Sequence, residues 1–97
     1  MYTINNQIKE QETKGLQVAS LVKTEALEIL TISLEKDAIF PKHSSPKDAQ
    51  LIVLEGDIDF HINQTKYNLT THQNFDFPAE QEHWVKANKS SKFLIVR

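Results

Sequence analysis

The stretch "FPKHSSPKDAQLIVLEG", residues 40–56, decides how this chain is read. Pro41 and Pro46 bound a turn, and His43 stands alone between them with Ser44 and Ser45. The run from Gln50 to Leu54 then turns apolar and stops at Glu55 and Gly56. A short continuous apolar run closed by turn residues is the signature of a strand covered on both faces. The expectation is a turn-rich connection over 36–49 that delivers the chain into a buried strand over 50–56.

Moving outward, the same period-two grammar recurs. "DIDFHIN" puts Ile58, Phe60 and Ile62 on one face and Asp57, Asp59 and His61 on the other. Asn63 and Gln64 form a hairpin turn into "TKYNLTT", and "NFDFPA", "HWVKAN" and "KFLIVR" are three more short strands. Upstream, "LQVASLV" alternates, and "ALEILTISLEK" places Leu30, Ile32 and Leu34 opposite Thr31, Ser33 and Glu35. Leu27 and Ile29 fall on the other parity, which requires either a bulge there or burial on both faces. Strands separated by turns this frequent build an all-β sandwich or small barrel. Residues 1–14 are polar, with Ile4 and Ile8 spaced for one helical turn, and equally suited to an arm or an edge strand. The domain organisation expected is an N-terminal arm over 1–14 and a single β-domain over 15–97.

The 97 residues suffice for one small domain with a modest core. With 39% hydrophobic and 25% charged residues and a net charge of -2, the composition gives no basic surface for nucleic acid or membranes. No cysteine is present, which excludes disulfides, thiolate metal sites and a cysteine nucleophile. No apolar stretch approaches the ~18 residues of a membrane span, and the N-terminus lacks the pattern of an export signal. A cytoplasmic location is therefore the expectation. With two glycines in the whole chain, Gly15 and Gly56, turns must be made by Asn, Asp, Pro and Ser.

Two groups of residues resemble the paired motifs of the cupin superfamily. His43, Ser44 and Ser45, then Ala49, then Leu54, Glu55 and Gly56 have the spacing of the first motif. His72, then Pro78, Ala79 and Glu80, then His83 have the spacing of the second. The anchors that match are His43, Gly56, Pro78 and His83. The chain is most similar to a subgroup of very small single-domain cupins with a turn like "HSSPKDA" and an ending like "PAEQEH". The resemblance implies a small double-stranded β-helix, an RmlC-like jelly-roll barrel, and informs fold more than activity. Five positions depart from the pattern. Ser45 replaces the second histidine, Ala49 the glutamate, His72 and Glu80 the two glycines of the second motif, and Ala87 its terminal asparagine, with Asn88 next door.

Cupin metal sites use three histidines and a carboxylate or amide, a set suited to Zn, Ni, Fe or Mn. By the resemblance, His43 and His83 are the tentative metal ligands here. Ser45 is a poor ligand and Ala49 none. Three readings of the pair stay open: an incomplete metal site completed by water, polar groups lining a metal-free pocket, or a structural hydrogen-bonded pair. The ligand-lining set expected is His43, Ser45, His83, Phe75 and Phe77. His61 and His72 are expected in solvent, and Trp84, which points away from the face of His83, as a buried or interface anchor. No catalytic residue can be named, and no nucleophile triad or phosphate loop is present. Three functions compete: a non-enzymatic module binding a small molecule, a metal-dependent oxygenase or isomerase using His43 and His83, and a structural homodimer. No nucleic-acid or membrane partner is expected, and a homodimer is.

Overall fold

A computed structural model describes all of residues 1–97. One helical turn, α1 (Gln7–Glu10), precedes nine strands: β1 (Leu16–Lys23), β2 (Glu28–Leu34), β3 (Ile39–His43), β4 (Ala49–Glu55), β5 (Asp57–Ile62), β6 (Thr65–Thr70), β7 (Asn74–Phe77), β8 (His83–Ala87) and β9 (Ser91–Val96). They form two antiparallel sheets, one ordered β1-β2-β9-β4-β7 and the other β3-β8-β5-β6. The all-β jelly roll expected from the sequence is present. The barrel is not, because the sheets do not close on one another through backbone hydrogen bonds. They face each other as a sandwich, and side chains fill the space between.

The alternation read from the sequence is the alternation that packs. Ile58, Phe60 and Ile62 of β5 face Leu51 and Val53 of β4, with Ile32, Leu34, Phe93 and Val85 completing the centre of the core. β4 departs from the expectation of burial on both faces. Leu51 and Val53 are fully buried, whereas Ile52 and Leu54 on the outer face are half-buried. The strand buried on both faces is β2, where Thr31, Ile32, Ser33 and Leu34 are all buried in succession. The bulge anticipated near Leu27 lies instead on its partner, where the register slips by one residue between Ser20 and Val22 of β1.

Two further elements were less legible. Ile39–His43, inside the stretch read as a turn, is a strand. It tolerates Pro41 because β3 is the edge of its sheet and its register shifts at that point, so the missing N–H interrupts no ladder. The N-terminal segment crosses the outer face of the five-stranded sheet. Gln7 Nε2 donates to Ser20 O on β1, Gln11 Nε2 to Thr31 O on β2, and Lys92 Nζ on β9 to Ile8 O. Ser33 Oγ donates to Gln11 Oε1 at 2.8 Å. These contacts explain why Thr31 and Ser33, on the polar face of β2, are buried.

The turns carry the scarcity of glycine openly. Asn63 and Gln64 both have positive φ, 51° and 62°, the geometry of a two-residue hairpin that follows strand twist. No helix is long and apolar enough to cross a membrane.

Candidate functional site

His43 ends β3 and His83 begins β8, and the register of these antiparallel strands sets them directly opposite. In a regular strand, residues three apart point to opposite faces. Between Phe40 and His43 the bulge at Pro41 adds one residue, so both turn inward together. Their rings stack at 4.2 Å. His83 is buried, lying parallel to Phe60 at 5.2 Å and edge-on to Phe77 at 4.6 Å.

The two imidazoles meet Nε2 to Nε2 at 3.0 Å. His43 Nδ1 lies 2.7 Å from Pro41 O, and His83 Nδ1 lies 3.0 Å from Gln81 O. A carbonyl oxygen only accepts, so each Nδ1 carries its proton there. Burial pushes the His83 pKa down, and the backbone carbonyl of Gln81 opposes this more weakly. With both Nδ1–H groups directed at carbonyl oxygens, a pair of neutral rings would have two N–H groups for three contacts, with the two Nε2 lone pairs facing each other. What the pair lacks is a donor or a cation between its Nε2 atoms.

The pair opens on a cavity of about 200 Å³ between the sheets. Leu30, Phe40, Phe77 and Ile95 form its apolar walls. Ser45 borders it, with its Oγ donating to Lys47 O at 2.6 Å and accepting from Arg97 Nη1 at 3.2 Å. Glu80 N donates to Ser45 O and Ala79 N to Asp48 Oδ1, both at 2.8 Å. These two bonds tie the loop after β3 to the loop before β8 and hold the cavity rim.

Four of the five residues expected at a ligand site line this cavity: His43, Ser45, His83 and Phe77. Phe75 does not. It packs against Phe60 at 5.1 Å and Tyr67 at 4.9 Å, where the edge strands β6 and β7 approach. His61, expected in solvent, is half-buried on the outer face of its sheet and stacks flat on Trp84 at 3.7 Å. His72 is exposed in a turn.

Arg97 was missed. Phe93 and Ile95 point inward, so residue 97 has inward parity, and an arginine there was a readable sign. Its Nε donates to Glu28 Oε1 at 2.7 Å, and that contact holds the Glu28 carboxyl below its usual range.

The donor set does not match a full cupin metal centre. Two imidazole nitrogens converge, but no group of three or more His, Cys, Asp or Glu residues is placed to hold an ion. Ala49 is packed into the core, Ser45 Oγ is already engaged, and the guanidinium of Arg97 lines the same cavity.

No protein-family model and no curated protein matches the chain. Solved structures do. A conserved protein of unknown function from Streptococcus pyogenes is 27% identical and superposes with a TM-score of 0.82, over 98% of this chain and 84% of that one. An RmlC-like cupin from Desulfovibrio desulfuricans gives a TM-score of 0.85 at 17% identity, over 99% of this chain and 95% of that one. A cupin superfamily protein from Desulfitobacterium hafniense gives 0.83 at 16% identity, over 99% and 90%. The two-sheet jelly roll and its near end-to-end superposition on these structures agree: the chain has the cupin fold.

Proposed function

We propose that this chain is a small-molecule-binding cupin, and that its ligand occupies the cavity beside His43 and His83 without being chemically transformed. The observation that carries this reading is the cavity itself. It joins four apolar walls to a cluster of polar groups at one opening, the usual composition of a ligand site. At about 200 Å³ it falls below the ~300–1,000 Å³ of most ligand pockets, so the ligand is small. The reading of no catalysis rests on the chemistry at hand. No carboxylate lines the cavity, the two imidazole Nε2 atoms face each other and not a nucleophile, and Ser45 Oγ donates its hydrogen bond to a backbone carbonyl, so no activated nucleophile is assembled.

The test is a binding screen by protein-observed NMR with neutral, acidic and basic fragments of up to about ten non-hydrogen atoms, a size consistent with this cavity. Binders are expected to move the amide signals of Ser44, Ser45, Phe77 and Arg97 together. Leu30→Phe, which narrows the cavity from an apolar wall, is expected to weaken them. Shifts that cluster elsewhere on the surface would overturn the reading.

A metal-dependent enzyme is the second reading, favoured by the convergence of the two Nε2 atoms at 3.0 Å. Elemental analysis of protein purified without a histidine tag decides between them. Near one equivalent of a transition metal, lost in both His43→Ala and His83→Ala, would favour the enzyme.

A further inference from the structure

The charges around the cavity narrow the ligand class, on the reading that the cavity binds a small molecule. No acidic residue lines it, and Arg97 is the one formally charged side chain that does. A guanidinium has five N–H groups. Glu28 Oε1 takes the Nε proton and Ser45 Oγ takes one from Nη1, which leaves three. The Arg97 side chain is 20% exposed, so these donors are neither fully hydrated nor fully paired. Lys47, on the same loop as Ser45, adds positive charge felt at Glu28, as does Lys23. Asp48, next to Lys47, turns its carboxylate to Ala79 N on the rim, so Arg97 is the charge that faces the cavity itself.

The histidine pair makes the opposite demand. Both Nδ1 atoms lie within hydrogen-bond reach of carbonyl oxygens, which only accept, so the Nε2 of a neutral ring in this arrangement is an acceptor. A ligand that complements both features presents an anion to Arg97 and a hydrogen-bond donor to the imidazoles. The remaining walls, Leu30, Phe40, Phe77 and Ile95, call for an apolar body.

We propose that the ligand is a short hydroxy acid with a small apolar side chain. Its carboxylate is held by Arg97, and its hydroxyl donates into the His43–His83 pair. The cavity thus takes an anion where a metal-binding relative would take a cation. The arginine supplies the positive charge, and the two imidazoles serve as acceptors instead of metal ligands.

Three matched probes test this by isothermal titration calorimetry and NMR mapping: 2-hydroxy-4-methylpentanoate, its amide, and 4-methylpentanoate, which lacks the hydroxyl. The hydroxy acid is expected to bind tightest. The amide should bind about tenfold or more weakly, the scale of a hydrogen bond to a charged group, and the deoxy acid about fivefold more weakly. Arg97→Met should remove the preference for acid over amide. Glu28→Gln, which withdraws the competing carboxylate without touching the cavity wall, should tighten the hydroxy acid.

If the amide binds as well as the acid and maps to the cavity, small-molecule binding stands and the hydroxy-acid inference falls. If none of the three moves the cavity signals at millimolar concentration, the inference falls as well, while the fragment screen separately decides the broader reading. Zinc ion that binds at the imidazoles and displaces the hydroxy acid would also overturn it.

Discussion

At the scale of single residues, the backbone keeps a geometry that the side chains have abandoned. His72 and Glu80 stand where the resemblance to cupins places glycines, and both retain left-handed backbone, with φ of 70° and 66°. Holding a residue with a Cβ there costs roughly 1–2 kcal/mol, and glycine would return part of that as lost chain entropy. His72→Gly and Glu80→Gly are each expected to stabilise the fold by about 0.5–1 kcal/mol, read from the urea midpoint. Gly56 is the opposite case. Its φ is +105°, and a Cβ built on it would press into Ser91 Oγ and come within 2.7 Å of Ser91 Cα. Ser91 is fixed in turn, accepting from Asp57 N and donating to Lys89 O. Gly56→Ala is expected to cost about 3 kcal/mol from backbone strain and overpacking together, and a wild-type midpoint would refute that account.

At the scale of elements, the N-terminal segment behaves as a strap across three strands. Its contacts are polar, which is why its sequence carries no hydrophobic pattern to announce them. Gln11 is the central clasp, donating to Thr31 O and accepting from Ser33 Oγ. Beneath it, Thr31 Oγ1 is buried without a hydrogen-bond partner, so the strap covers β2 at some cost. Gln11→Ala should destabilise by about 1–3 kcal/mol, because it strands a second buried hydroxyl. Amide exchange at Thr31 and Ser33 should accelerate more than at Val53 in the core. Uniform acceleration across the sheet would show that the segment does not act locally. The β3 edge shows the same limit of sequence reading. Pro41 argued for a turn, yet the bulge that accommodates it is what turns both Phe40 and His43 inward.

At the scale of the whole molecule, three groups link stability to acidity. The His83 pKa is lowered by burial, so the unfolded chain takes up its proton first as pH falls below about 6.5. Stability is therefore full above that pH and declines as pH drops toward the depressed folded value. Glu28, hydrogen-bonded by Arg97, and Asp57, hydrogen-bonded by Asn88 and Asn68, also have lowered pKa values. Their contributions are present at neutral pH and are lost as pH falls below about 4.5 and 3.8 through their folded values. Thermal unfolding across pH 3–8 should thus show Tm falling in two stages, an expectation from linkage. His83→Phe should erase the upper stage and leave the lower. A variant that keeps both would show that His83 is not its source. The sequence by itself determined the jelly roll: period-two alternation over short strands, such as Ile58, Phe60 and Ile62, specifies buried faces, and positions 43, 56, 78 and 83 carry the cupin spacing. It also singled out His43 and His83, through their resemblance to the cupin motif positions, whereas the inward turn of His43 depends on the bulge between Phe40 and His43. Tertiary structure alone decided what joins them. Arg97 follows β9, distant in sequence, while Phe75 turns away toward Tyr67, and whether two sheets close into a barrel depends on edges that no local pattern encodes. Alternation says which side of a strand a residue faces, and only the packing of one sheet on the other says what it meets there.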